Sequence, residues 1–293
     1  MLDPALLTSI GDLEMVARVT VDGTMSGIHR SPFHGYSAEF AQYRHYRPGD
    51  DLKYVDWKLF ARTDRVYTKQ YRETTNMLAQ IVVDASASMA YGRQGSASKL
   101  DYARVLTAAL SYLISEQGDA IGLVTYGERL RDYIPSRTGR LHLRRLLIAL
   151  SKLTASGETS SASALQRAVD LLKRRGMLIL VSDLYDEDER MEAELRRAIR
   201  IGHELTVFHV LTRDELEFPF AGDVELEDLE TGQRVLTSGA MSTAYRRGFA
   251  DFLERWRRRC TGLGIDYMRV TTDAPLDTAL RGYLLQRSGG VST

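Results

Sequence analysis

Cysteine is almost missing from this 293-residue chain: Cys260 stands alone, which excludes an internal disulfide and any CxxC zinc site. Net charge is missing as well, since 39 lysines and arginines balance 39 aspartates and glutamates. A whole-surface attraction to nucleic acid or to an anionic membrane therefore has no support. No stretch approaches the ~18 consecutive apolar residues of a membrane helix. The opening MLDPALLTSIGDLEMVARVT lacks the basic start and unbroken apolar core of a signal peptide, so a cytoplasmic protein is expected. Enzyme signatures are absent too. There is no GxxxxGK followed by Ser or Thr, no HExxH and no GxSxG, and the six histidines are scattered. Gly262-Leu263-Gly264 precedes an expected strand instead of following one, which argues against a dinucleotide site.

What the chain does contain changes character along its length. Residues 1–26 read as an N-terminal helical extension, with apolar residues at helical spacing over 1–20. Residues 27–76 form a distinct segment in which ten aromatics between Phe33 and Tyr71 are interleaved with Lys and Arg. A turn is expected at Arg47-Pro48-Gly49-Asp50-Asp51, and the alternation in RVYTKQYRE predicts a closing strand. From residue 77 to 293, short apolar runs alternate with longer amphipathic stretches. LAQIVVD, AIGLVTY, MLILVSD, ELTVFHVL and IDYMRVTT read as strands separated by helices. That alternation predicts an α/β fold with a doubly wound, mostly parallel sheet. An insertion at about 213–240 carries eight acids between Asp214 and Glu230 and no base; it reads as a hairpin turning at Thr231-Gly232, a solubilising edge cover.

In an open parallel sheet the functional crevice lies beyond the carboxyl ends of the strands. The first of these strands ends in Asp84-Ala85-Ser86-Ala87-Ser88, and a later one ends in Ser182-Asp183. The loop before the helix at 163–175 reads Ser156-Gly157-Glu158-Thr159-Ser160. Carboxylates and hydroxyls thus converge on one edge, all of them hard oxygen donors that suit Mg²⁺ or Mn²⁺. Each hydroxyl taken alone is better explained as a helix cap or turn former. Their joint occurrence at three strand ends favours a site.

Asp-x-Ser-x-Ser after a buried strand, a Gly-x-Thr loop before a helix and an Asp closing a later strand resemble the metal-ion-dependent adhesion site of von Willebrand factor A domains. That resemblance assigns Asp84, Ser86, Ser88, Thr159 and Asp183 to its five positions, and implies an octahedral Mg²⁺ or Mn²⁺ whose open position takes an acidic residue from a partner protein. Two departures stand out. Gly157-Glu158-Thr159 replaces the family's Gly-Gly-Thr, leaving Thr154 and Ser160 as alternatives to Thr159, and Asp183-Leu184 replaces its Asp-Gly.

Upstream, Gly27-Ile28-His29-Arg30-Ser31, Glu39-Phe40, Tyr46-Arg47-Pro48-Gly49-Asp50-Asp51 and Asp56-Trp57-Lys58 resemble the bacterial domain of unknown function 58 family, as does Asp228-Leu229-Glu230-Thr231-Gly232 downstream. This resemblance implies a von Willebrand factor A-like core. It also implies partnership with a MoxR-type AAA+ ATPase in assembly or maturation of client proteins, without enzymatic activity of its own. The apolar residues of segment 27–76 are largely aromatic and spread through turns, too little core to stand alone, so the segment is expected to pack on the core domain. Two other functions remain open on the residues alone. One is a Mg²⁺-dependent phosphoryl-transfer or hydrolytic enzyme with Asp84 as nucleophile, although such enzymes generally carry a second acid where Ser86 stands. The other is a single-stranded nucleic-acid binder using the aromatic and basic residues of 33–72, whose basic charges are largely offset by neighbouring acids.

Overall fold

The computed structural model describes residues 13–25, 38–47, 55–73, 77–93, 95–185, 189–220, 222–238 and 241–289. The chain divides into two units, one of residues 33–76 and one of residues 1–32 together with 77–293. The helical pattern read at the N-terminus emerges as Leu13–Met25 (α1), which belongs to the larger unit. Residues 1–12 lie outside the described ones. Val16, Ala17 and Val21 are buried. The Thr20 and Thr24 hydroxyls on the same stripe donate to carbonyls one turn back at 2.8 Å, so their burial leaves no hydroxyl unmet.

In the smaller unit, Ala38–His45 (β1) pairs antiparallel with Tyr67–Glu73 (β2), the strand expected from RVYTKQYRE, across an irregularity at Phe40–Gln42. Trp57–Thr63 (α2) lies between them in sequence. Asp56 caps α2, accepting the amides of Lys58 and Leu59 at 3.0 and 2.9 Å, while its other oxygen accepts the Tyr43 hydroxyl at 2.8 Å. The turn expected at 48–51 falls outside the described residues.

The larger unit alternates as the sequence leads one to expect. Its elements run Leu78–Asp84 (β3), Lys99–Glu116 (α3), Ala120–Tyr126 (β4), Leu130–Arg137 (β5), Arg140–Ser151 (α4), Ser161–Leu171 (α5), Met177–Ser182 (β6), Glu189–Ile201 (α6), Glu204–Leu211 (β7), Arg213–Glu217 (α7), Asp223–Glu227 (β8), Arg234–Ser238 (β9), Ser242–Gly262 (α8), Asp266–Thr271 (β10) and Leu276–Gly289 (α9). Six strands form one sheet in the order β10-β7-β6-β3-β4-β5, parallel except for β5 at one edge. β4 and β6 are buried along their whole length, which is why they read as continuous apolar runs. Val82, Val124, Leu180 and Val207 cluster with α5, α6 and α8 on one face. The next residue along β7, Phe208, points the other way and meets Tyr283 of α9, with ring centroids 6.0 Å apart. α1 packs against α3 and α9.

Two elements of the larger unit are new relative to the sequence pattern. β5 is polar and contains Pro135, which an edge strand accommodates because one side of it needs no ladder partner. α7 spans a single turn, begun by a capping box between Thr212 and Glu215. The acidic hairpin forms as expected from β8 and β9, but as a separate two-stranded sheet; the edges of the main sheet are β10 and β5, and it pairs with neither. Among the described residues, no helix is long and apolar enough to cross a membrane.

Candidate metal centre

β3, pinned between β4 and β6, delivers Asp84 to the sheet's carboxyl edge, where its side chain is wholly buried. The chain then turns sharply. Asp84 Oδ1 accepts the Ser86 amide at 2.9 Å, and a single 3₁₀ turn, Ala87–Ala90, follows. Backbone bonds stitch this turn to the loop before α5: Ser156 N donates to Ala85 O at 3.0 Å, and Ala87 N donates to Gly157 O at 2.8 Å. The stitching brings Thr159 to the site, its hydroxyl 3.4 Å from Asp84 Oδ2. Of the three candidate hydroxyls in this loop, Thr159 is the one set against Asp84; Ser160 instead occupies the N-cap of α5.

The same Asp84 oxygen accepts the hydroxyls of Ser182 at 2.7 Å and Tyr126 at 3.2 Å. Burial, and then the nearby Asp183, raise the Asp84 carboxyl to about 6. Ser86 Oγ and Ser88 Oγ lie 3.0 Å apart.

Asp183 lies on the neighbouring strand end, fully buried, but its Oδ2 is engaged by Lys99 Nζ at 2.7 Å. Lys99 also reaches Glu215 Oε1 at 2.6 Å and sits 4.7 Å from the centre of the Tyr185 ring. Glu215 in turn accepts the Tyr185 hydroxyl at 3.0 Å and, at its other oxygen, the Thr212 amide and hydroxyl at 2.6 and 2.9 Å. Burial alone would neutralise Lys99, but Asp183 and Glu215 outweigh it and hold its pKa above the ordinary lysine value. An ammonium in the first turn of α3 opposes the helix dipole, so these two carboxylates also offset that placement.

Leu184, standing where the resembling domains have glycine, is left-handed at φ 56°. A side chain there costs about 1–2 kcal/mol. The buried Leu184 side chain and a 2.9 Å bond from its amide to Ser182 Oγ offset that strain.

A cleft of about 700 Å³ opens over these groups, with Ser88, Thr159, Lys99 and Glu215 at its polar end and Phe218, Phe220 and Tyr245 along an apolar wall. The hairpin overhangs it. Glu230, between β8 and β9, accepts the Thr159 amide at 3.0 Å through Oε2. Its other oxygen, Oε1, is buried with no hydrogen-bond partner among the described residues. Burial raises the Glu230 carboxyl; the Ser88 hydroxyl, the Thr159 amide and the Ser86 hydroxyl oppose that rise by favouring its charged form, although neither serine makes an ordinary hydrogen bond to Oε1.

These donors fit a small divalent cation. Adjacent ligands on an octahedral ion with bonds of ~2.1 Å lie about 3.0 Å apart, which matches the separation of the two serine oxygens. The hydroxyls are essential to the fit, because among the described residues no three His, Cys, Asp or Glu side chains are grouped closely enough to hold a metal themselves. Asp84, Ser86, Ser88 and Thr159 stand together. Asp183 stands beside them, tied to Lys99. Sequence reasoning missed Lys99, Glu215, Ser182, Tyr126 and Glu230. Only Ser182 and Glu230 carried a signal, the first by adjoining Asp183 and the second by lying in Asp228-Leu229-Glu230-Thr231-Gly232.

A family model described as "Protein of unknown function DUF58" matches residues 42–259. An uncharacterised protein of Mycobacterium tuberculosis is 30% identical over 279 residues, spanning 92% of this chain and 86% of its own. Among solved structures, an aerotolerance-related membrane protein of Bacteroides fragilis superposes with TM-score 0.50 at 16% identity, over 73% of this chain and 100% of that one. BatB of Bacteroides thetaiotaomicron gives TM-score 0.50 and 16% identity, over 73% of this chain and 99% of its own. At such identity these two likenesses concern the fold alone.

Proposed function

The chain belongs to the DUF58 family and has a von Willebrand factor A-like fold, and from that premise we propose that it is a cytoplasmic, non-enzymatic interaction module that depends on a divalent cation and acts with a MoxR-type AAA+ ATPase in assembly or maturation of client proteins. The observation that carries this reading is the pair of serine oxygens 3.0 Å apart, beside the buried Asp84 and the Thr159 hydroxyl. Ser86, Ser88 and Asp84 would hold Mg²⁺ or Mn²⁺, with Thr159 and Asp183 contributing directly or through water. A bound cation of this kind supplies an exchangeable position that a partner's carboxylate can fill. Asp84 is suited to holding and poorly suited to attack. It is wholly buried, and its Oδ2 already accepts from Ser182, Tyr126 and Thr159. Phe220 and Tyr245, half-buried over the buried Phe218, give a partner apolar surface in the same cleft, and aromatic side chains of this kind are frequent anchors of interfaces. The ATPase is the partner that the family resemblance implies.

The test immobilises the full chain and passes the purified MoxR-type ATPase over it without nucleotide, in Mg²⁺ and then in chelator. Binding should require Mg²⁺ and be lost in the Ser86→Ala, Ser88→Ala double variant. Equal binding in chelator by both proteins would overturn the proposal.

A further inference from the structure

We infer that Glu230 is a built-in carboxylate ligand of this same site, held there by the hairpin in the absence of a partner, and that a partner's acidic residue must displace it. The inference rests on the cation-site reading above. Four observations carry it. The Glu230 carboxylate is anchored on the Thr159 amide at 3.0 Å, next to the hydroxyl that faces Asp84. Its second oxygen is buried without a hydrogen bond of ordinary geometry among the described residues, yet the Ser88 and Ser86 hydroxyls are near enough to favour its charged form, so it faces the same pair of oxygens that would hold the cation. Ser88, Thr159 and Glu230 line one cleft, so the acid lies on the side from which a partner would enter.

The fourth observation is that the turn is built to present this residue. Asp228 Oδ1 accepts the Glu230 and Thr231 amides at 2.8 and 3.3 Å, and Oδ2 accepts the Thr231 hydroxyl at 2.8 Å. Gly232 closes the turn at φ 71°, a conformation that strains any residue with a side chain. The Asp-Leu-Glu-Thr-Gly stretch thereby acquires a purpose: it aims one carboxylate at the site. The hairpin itself is loosely held. Val235 and Leu236 are exposed, and a lone two-stranded ribbon is marginally stable, so withdrawal of its tip is inexpensive.

The experiment titrates Mn²⁺ into the full chain and reads water-proton relaxation, first alone and then with added acetate as a probe carboxylate. Wild type should bind one Mn²⁺ and respond weakly to acetate. Glu230→Gln should bind Mn²⁺ about tenfold or more weakly, show higher relaxation per bound ion because water replaces the lost oxygen, and respond strongly to acetate. Glu227→Gln, an exposed acid of the same hairpin paired with Arg234, should behave as wild type. If Glu230→Gln matches wild type in affinity and in acetate response, Glu230 is not a ligand, while the cation site stands. If wild type binds no Mn²⁺, the cation site falls and this inference falls with it.

Discussion

Lys99 Nζ lies 2.7 Å from Asp183 Oδ2, and each side chain is 1% exposed. The carboxylate that the resemblance places second in the cation site is therefore already half neutralised by the protein's own ammonium. Glu215 completes the arrangement from the other side at 2.6 Å. Removing one member of such a buried set strands the rest as uncompensated charge. Lys99→Met should cost about 3–5 kcal/mol in urea unfolding performed in chelator. A loss below about 1 kcal/mol would mean that the pair behaves like an exposed surface bridge.

His209 sits within β7, its Nδ1 2.7 Å from the Tyr267 hydroxyl. Burial pushes its pKa down to about 4; Asp183 opposes that shift, while Lys99 and Arg269 add to it. The unfolded chain takes up this proton below about 6.5, and the folded chain only near 4. The stability this residue contributes is complete above about 6.5 and is lost as pH falls toward 4, on the order of 3 kcal/mol in all. Asp84 has the opposite sign, since its raised pKa favours the folded state on acidification. In chelator, His209→Gln should therefore lose less stability than wild type between pH 6.5 and 4. An identical pH slope for the two proteins would show that His209 is not buried in neutral form.

Cys260 lies on a helix rich in arginine, a setting that by itself lowers a thiol's pKa. Burial dominates instead and pushes it up to about 12, with Arg259 opposing. At pH 8 a disulfide reagent should label the folded protein far more slowly than the urea-unfolded chain. Equal rates would place the thiol at the surface.

Asp228 holds the turn that carries Glu230, and the Thr159 amide donates to Glu230. Asp228→Ala removes the side-chain hydrogen bonds of that turn, with a net worth of about 0.5–1.5 kcal/mol. Hydrogen exchange at the Thr159 amide should accelerate by about twofold to tenfold. Unchanged exchange would show that the hairpin tip does not protect that amide.

Much of the fold was legible because buried parallel strands leave no polar alternation to misread: LAQIVVD and MLILVSD announce β3 and β6 by their composition. β5 was not legible, since LRDYIPSR is an exposed edge strand interrupted by proline and lacks both strand signatures. The grouping of Asp84, Ser86, Ser88 and Thr159 followed from their positions at strand ends, because topology brings those ends together. Lys99 could not be found in this way. Its partners stand 84 and 116 residues further along, and nothing in its local sequence distinguishes it from an ordinary surface lysine in a first helical turn. Glu230 was hidden by its company: in a run of acids read as a solubilising cover, the one that folds back onto Thr159 looks like the others.

The most direct test is a calorimetric titration of Mg²⁺ into the full chain, compared with the Ser86→Ala, Ser88→Ala double variant. Both changes remove only a hydroxyl, Ser88 at the cleft and Ser86 fully buried beside Asp84, so the variant should lose about 1–2 kcal/mol and still fold, which a urea titration checks. Wild type should show one weak site per chain, and the folded variant should show none. The same isotherm from both proteins would contradict a cation site built on these serines.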